Sequence, residues 1–204
     1  MKRKILIVSS SLSTGGLEKC LINLCNNLDY DRYDVDLYLF NEGRDWLTKL
    51  NKNVHLLPDS PYYADVYNRS FGSSVKTLVK KKKIDLALYR VGRFVRARLG
   101  KTAFSTSDWK NMKKTMLSLD THYDVAIGFE EGSACYYVAD CVSADVKVGW
   151  IHTDIKKINN NRALDEEAFE RLDHVITVSE NSLRNLKEVY PNFANKFTDR
   201  KSVV

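Results

Sequence analysis

Short runs of apolar residues alternate along the chain with longer stretches in which apolar residues recur at helical spacing. Most of the runs are nearly continuous, which is typical of strands in a parallel sheet that is covered on both faces. They predict strands at residues 4–8, 35–40, 54–57, 125–129, 146–151 and 175–178. The intervening stretches predict helices at residues 16–28, 45–51, 73–99, 107–119, 132–141, 163–172 and 180–189. Because strands and helices alternate, we predict an α/β fold with a Rossmann-like, doubly wound and mainly parallel sheet.

Glycine and polar residues directly follow several of the predicted strands. The carboxyl ends of parallel strands meet at one edge of the sheet, so loops that are distant in sequence converge there. The residues concerned are Gly15 and Gly16 after the first strand, Glu130 and Glu131 after the fourth, and His152, Thr153 and Asp154 after the fifth. Two adjacent glutamates suggest a paired acid and base. Neighbours on an extended segment point in opposite directions, however, so at most one should face a cleft.

The glycine pair Gly15–Gly16 lies between the first predicted strand and the first predicted helix. Glycines let the backbone approach a ligand, and a helix start offers unpaired N–H groups to an anion. The alternative is that the pair only forms a tight turn. The segment contains neither G-x-G-x-x-G nor the lysine and hydroxyl of a P-loop, so we do not expect a nicotinamide or ATP site.

The composition is that of a globular protein. The chain has 204 residues, 44% of them hydrophobic, which suffices for a substantial core. We predict one domain at residues 1–190, followed by the start of a linker or a truncated tail at residues 191–204. The four cysteines lack metal-ligand spacing, so we expect no metal site and a reducing compartment. The apolar run 5–8 is too short for a signal peptide, and no segment approaches the ~20 apolar residues that span a bilayer. We therefore expect a cytoplasmic location.

Positive charge is concentrated in an insertion, at about residues 73–101, between the third and fourth predicted strands. Residues 76–101 contain ten Lys or Arg and one acidic residue, whereas the whole chain has a net charge of +6. Apolar residues recur among these basic ones, which favours a basic amphipathic helix at an anionic membrane surface. The alternative is a solvated face, or Lys and Arg stems that cover the core. No nucleic-acid-binding module is recognisable, so nucleic acid is not an expected partner. The predicted membrane patch consists of Lys80, Lys81, Lys82, Lys83, Arg90, Arg93, Arg96 and Arg98.

Three segments, in this order and spacing, resemble the amino-terminal domain of family 4 retaining glycosyltransferases. They are KILIVSSSLSTGGLEK at 4–19, GWIHTD at 149–154 and HVITVSENS at 174–182. The resemblance extends over nearly the whole chain and is strongest to bacterial enzymes that assemble capsular and other cell-surface polysaccharides. It implies one half of a GT-B architecture, in which two Rossmann-like domains face each other across a cleft.

In that family the amino-terminal domain mainly binds the acceptor and the other domain mainly binds the nucleotide-sugar, with no cofactor and no obligatory metal. The resemblance implies that Gly15 and Gly16 approach the donor diphosphate and that His152 is the catalytic histidine contacting the transferred sugar. Thr153 and Lys157 would face the acceptor. Glu130 and Asp154 are further candidates for the cleft.

These residues predict the acceptor-binding half of an enzyme that transfers a sugar from a nucleotide-sugar to a lipid-linked or polysaccharide acceptor. The chain would be a peripheral protein of the inner membrane face, and inactive without a donor-binding domain. The alternative is a non-catalytic scaffold that recruits the acceptor and works with a separate donor-binding partner.

Overall fold

The computed structural model describes residues 1–41, 43–158 and 161–200. Within these ranges, seven strands form one sheet in the order β3-β2-β1-β4-β5-β6-β7, and every neighbouring pair is parallel. The strands are β1 (Arg3–Ser9), β2 (Tyr33–Leu39), β3 (Val54–Leu56), β4 (His122–Gly128), β5 (Ser143–Ile151), β6 (His174–Thr177) and β7 (Phe197–Asp199). The described residues thus contain every strand predicted from the sequence, and β7 in addition.

Helices connect the strands. They are α1 (Gly16–Asn27), α2 (Tyr63–Tyr67), α3 (Phe71–Lys80), α4 (Ile84–Arg98), α5 (Thr106–Met112), α6 (Ser133–Cys141), α7 (Arg162–Arg171) and α8 (Glu180–Val189). Short 3₁₀ turns occur at Leu47–Lys49, Lys113–Thr115, Ile155–Lys157 and Pro191–Lys196. None of the helices in the described ranges combines the length and the apolar character that are needed to cross a bilayer.

Helices pack on both faces of the sheet. On one face, Leu21 and Cys25 of α1 belong to a core cluster with Ile5 and Ile7 of β1. On the other face, residues of α5, α6, α7 and α8 pack with the alternate side chains of the strands, Leu6 and Val8 among them. The two faces are apolar because successive side chains of a buried strand point in opposite directions. The predicted α/β fold with a doubly wound, Rossmann-like sheet is therefore confirmed.

The insertion between β3 and β4 differs from its prediction. The single helix predicted at 73–99 is two helices, α3 and α4, which are separated at residues 81–83. Lys82 has φ 57° there, a left-handed conformation that ends a helix even where the sequence contains no glycine or proline. The prediction for 45–51 was also wrong in length, since only the 3₁₀ turn Leu47–Lys49 forms.

The end of the described chain also differs from its prediction. Residues 191–200 were expected to start a linker, but β7 pairs with β6 in the sheet. Phe197 of β7 is buried in the same core cluster as α7 and α8. The sheet domain therefore extends past the predicted boundary at residue 190. Residues 201–204 of the predicted tail lie outside the described residues.

Candidate functional site

The strand order reverses between β1 and β4. From β1 the chain proceeds outward through β2 and β3 and then returns to β4 on the other side of β1. In open α/β sheets, ligands bind at such a point, outside the carboxyl ends of the strands. Ser10 directly follows β1 and Glu130 follows β4 by two residues, so both lie at this crevice.

Glu130 bridges the crevice. Its carboxylate accepts a hydrogen bond from the Ser10 backbone N–H at 2.5 Å and another from the Ser10 hydroxyl at 3.0 Å. Burial raises the pKa of Glu130 to about 7, against the opposing effect of these hydrogen bonds, and the charges of Glu131 and Glu18 add to the increase. Near neutral pH this carboxyl group can therefore either accept or release a proton.

Glu131 points the other way, towards β5. Its Oε2 atom accepts a hydrogen bond from the His152 backbone N–H at 3.0 Å. The two adjacent glutamates thus contact opposite neighbours, although Glu130 lies in a bend and Glu131 in a turn before α6, not on the extended segment that the sequence suggested. Together they tie the loops after β1 and β5 to the end of β4. The sequence shows that Glu131 lies beside Glu130 after the fourth predicted strand, but it does not predict the hydrogen bond of Glu131 to the His152 backbone.

His152 lies directly after β5, in an aromatic cluster. Its ring stacks on Trp150, with 5.6 Å between centroids and 18° between planes, and lies 4.9 Å from the Phe129 ring. These rings and α1 line a pocket of about 130 Å³. Burial lowers the pKa of His152. This effect outweighs those of the Glu131 charge and the hydrogen bond to the Phe129 backbone, which would raise the pKa. The imidazole is therefore neutral at pH 7, and its Nε2 atom is buried without a hydrogen-bond partner among the described residues.

Gly15 and Gly16 form the start of α1, at the same end of the sheet. Gly15 occupies the N-cap position with an extended backbone (φ −169°), and no side chain caps the helix. A methyl group added to Gly16 would meet no atom within 4 Å, and the atoms nearest to one added to Gly15 would be those at the far end of the flexible Glu18 side chain. Neither position requires glycine for its own fold, which weakens the interpretation as a tight turn.

Thr153, Asp154 and Lys157 lie in the loop after His152. Asp154 caps the 3₁₀ turn Ile155–Lys157 through a hydrogen bond from the Lys156 N–H, and it also accepts one from Asn185 at 3.0 Å. These hydrogen bonds lower the pKa of Asp154. Lys157 is exposed at the end of the turn, and Thr153 is half-buried. The structure thus gives Asp154 a structural role, and its predicted contact with an acceptor stays a prediction.

The eight basic residues of the predicted membrane patch have different surroundings. Lys81 and Arg96 form ion pairs with the buried Asp65 and Asp108. Four others lie over aromatic rings, with the cation 4.7–5.6 Å from the ring centroid; they are Lys83, Arg90, Arg93 and Arg98. Lys80 and Lys82 are exposed. The charges of Lys81 and Arg96 are thus directed at the body of the protein, in line with the alternative that Lys and Arg stems cover the core, whereas Arg98 is exposed.

The fold is shared with a protein of known structure. The crystal structure of HepE from Anabaena, in complex with UDP and glucose, matches with a TM-score of 0.56 and 16% sequence identity. The match covers 99% of this chain and 45% of the HepE chain, so this chain spans less than half the length of that protein. At this identity the likeness shows the fold. No protein-family model and no curated protein matches the sequence.

Proposed function

We propose that this chain is the acceptor-binding half of a retaining glycosyltransferase with GT-B architecture, as the resemblance of its sequence motifs implies. One observation carries the proposal. The uncapped start of α1, the Glu130 carboxyl group and the neutral His152 ring all lie at the carboxyl end of a sheet whose fold matches a protein solved with UDP and glucose.

The charge of the crevice favours an acceptor over a diphosphate. Glu18, Glu130 and Glu131 interact electrostatically, and each added charge makes the ionisation of Glu130 harder. Carboxylates accept hydrogen bonds from sugar hydroxyls but repel phosphates. The cations that stabilise a departing nucleoside diphosphate would therefore come mainly from a donor-binding domain, while the N–H groups at Gly15 and Gly16 add a smaller contribution.

His152 would contact the transferred sugar. A neutral imidazole whose Nε2 atom lacks a partner can donate or accept one hydrogen bond to a sugar hydroxyl, depending on its tautomer. Thr153 and Lys157 would face the acceptor from the following loop. The basic insertion would place the protein at the inner face of a membrane, where a lipid-linked acceptor is found.

The test is a sugar-transfer assay in which a donor-binding domain is supplied, UDP-glucose is the first donor tried and membrane lipid extract is the acceptor. We expect His152→Ala to lower turnover by about 100-fold or more, a typical loss when a positioned group is removed from a reacting centre. His152→Phe should lower it similarly, because it keeps the ring that packs on Trp150 but removes both nitrogens.

The matched control is His174→Ala, an exposed histidine at the amino end of β6, which should retain wild-type turnover. Wild-type turnover in both His152 variants would rule out the proposed role of this residue. Acceptor binding without transfer from any nucleotide-sugar would favour the alternative, a scaffold that recruits the acceptor.

A further inference from the structure

Helix α4 and its C-cap residue expose an aliphatic stripe, consisting of Ile84, Leu88, Val91, Val95 and Leu99. These side chains are 51%, 67%, 38%, 49% and 67% exposed. Among the described residues, the other large apolar residues with comparable exposure are Val79, on the adjacent α3, and Met1. Single exposed apolar residues are ordinary, but a contiguous set marks an interaction surface.

The stripe follows the helical repeat. Its members are separated by four, three, four and four positions, which places them within about 80° of the helix circumference at 3.6 residues per turn. Leu86 on the opposite side is buried. Arg93 and Arg96 of the inward side contact the Tyr67 ring and Asp108. Helix α4 thus buries Leu86 and Ala87 against the protein, as an ordinary surface helix does, but exposes a second apolar face where such a helix carries polar residues.

Basic residues flank both ends of the stripe. Lys80 and Lys82 are exposed just before α4, and Arg98 and Lys101 are exposed at its end. Asp85, the acidic residue of this segment, pairs with Lys114 at 3.2 Å. Two copies of the chain that met through this face would bring these positive charges together, which disfavours self-association. An apolar face with positive flanks instead matches an anionic lipid surface.

The inward side of α4 connects the stripe to the candidate site. The Arg93 guanidinium lies 4.9 Å from the Tyr67 ring centroid, and Tyr67 lies 4.7 Å from Tyr63. Burial raises the pKa of Tyr63, and the Glu130 charge adds to this increase while Arg93 opposes it. Glu130 at the crevice and Arg93 on α4 are therefore both within electrostatic reach of the Tyr63 phenol.

We propose that the aliphatic stripe inserts into the interfacial region of an anionic bilayer, with α4 parallel to the membrane plane, and holds the crevice at the membrane surface. Lys80, Lys82, Arg98 and Lys101 contact the anionic headgroups. This deepens the proposed function and rests on it for the acceptor, because a protein held in this way meets a lipid-linked acceptor where its sugar leaves the bilayer.

The test is co-sedimentation with vesicles of phosphatidylglycerol and phosphatidylethanolamine, with phosphatidylcholine vesicles for comparison. We expect the double variant Leu88→Gln/Val95→Gln, which keeps the charge, to lower the partition coefficient at least tenfold at both low and high salt. Lys80→Gln/Lys82→Gln should lower it severalfold at low salt only, since salt screens exposed charges. Lys19→Gln/Lys110→Gln, which removes two exposed charges elsewhere, is the matched control.

Insertion is measured directly with Leu88→Trp. Its emission should shift to the blue on adding the anionic vesicles, and brominated lipids should quench it more than they quench the wild-type tryptophans. All the substituted positions are exposed, so the variants should melt at the wild-type temperature, which checks the fold.

Unchanged partitioning of Leu88→Gln/Val95→Gln would overturn the proposal. So would light scattering that shows a dimer of the wild-type protein without lipid and a monomer of this variant. Vesicle binding that depends on the stripe, together with no sugar transfer when a donor-binding domain is supplied, would reject the transferase and keep the membrane face. Sugar transfer to an acceptor by a protein that binds no vesicles would reject the membrane face and keep the transferase.

Discussion

At the scale of single residues, the candidate site depends on two adjacent glutamates with different partners. Glu130 holds the loop after β1 through Ser10, and Glu131 holds the loop after β5 through the His152 backbone. A carboxyl group that is buried beside two other carboxylates retains its proton to a higher pH. Such groups concentrate at functional sites, because stability alone gives no reason to keep them.

The first prediction concerns the pH dependence of stability. The pKa of Glu130 is about 7 in the folded protein and near 4.5 when unfolded, so the folded state binds the proton more tightly. The free energy of unfolding should therefore fall as the pH rises through this window, by about 3 kcal/mol in all. Glu130→Gln cannot ionise but keeps an oxygen that accepts from the Ser10 N–H, so this variant should lack that part of the decrease.

Urea denaturation of both proteins at pH 4.5, 6 and 8 measures the difference. We expect equal stability at pH 4.5 and a more stable variant at pH 8. If plots of the free energy of unfolding against pH were parallel for the two proteins across this range, the result would contradict the burial of an ionisable Glu130. Titrating groups that do not interact with Glu130 affect both proteins alike, so their contributions cancel in the comparison.

Sequence reasoning found Glu130 but not its environment. The two glutamates contact opposite neighbours, but they lie in a bend and a turn, so the alternation of an extended segment does not explain their different partners. That Ser10 is the partner of Glu130 depends on the adjacency of β1 and β4, which are separated by more than a hundred residues in the chain. The aromatic surroundings of His152 depend on the same tertiary contacts.

At the scale of elements, local periodicity predicted the strands and α1 well but missed the break between α3 and α4. The run Lys80–Lys83 contains good helix formers, so the local sequence does not predict the left-handed conformation of Lys82. Ion pairs of Lys81 and Arg69 with the buried Asp65 accompany the break. A break tied to tertiary contacts is not visible in hydrophobic periodicity.

The start of α1 offers an element-scale prediction. Gly16→Ala adds a methyl group where the structure leaves open space, and alanine is the better helix former, so stability should be unchanged or higher by about 0.5 kcal/mol. If a donor diphosphate approaches this backbone, the same methyl group should raise the KM for UDP-glucose about tenfold in the sugar-transfer assay.

The thermal melt and the kinetics together separate the two interpretations of the glycine pair. An unchanged KM with an unchanged melting temperature would show that no ligand approaches Gly16. A lower melting temperature would show that the turn itself needs glycine, contrary to the geometry. Gly72→Ala, an exposed glycine of α3 that also has open space around it, is the matched control.

At the scale of the whole molecule, the sheet unites all the described strands in one layered domain, and its last strand was the least predictable from sequence. Phe197-Thr198-Asp199 is too short and too polar to register as an apolar run. Its place is determined by packing at a distance. Lys196 donates hydrogen bonds to the carbonyl oxygens of Phe169, Glu170 and Leu172 at the end of α7, where a cation also favours the helix dipole.

The last prediction tests whether this segment belongs to the cooperative fold. Phe197 is 4% exposed and packs edge-on against Phe169, with 5.4 Å between ring centroids. Phe197→Ala should lower the free energy of unfolding by 3–5 kcal/mol, which is typical of a buried phenylalanine. Phe193→Ala removes a half-buried ring whose centroid lies 5.9 Å from that of Phe169. It should lower the free energy of unfolding by less than Phe197→Ala does. Denaturation should remain a single transition in both variants, because β7 completes the same sheet. If Phe197→Ala had the denaturation midpoint of the wild-type protein, residues 191–200 would instead be a linker.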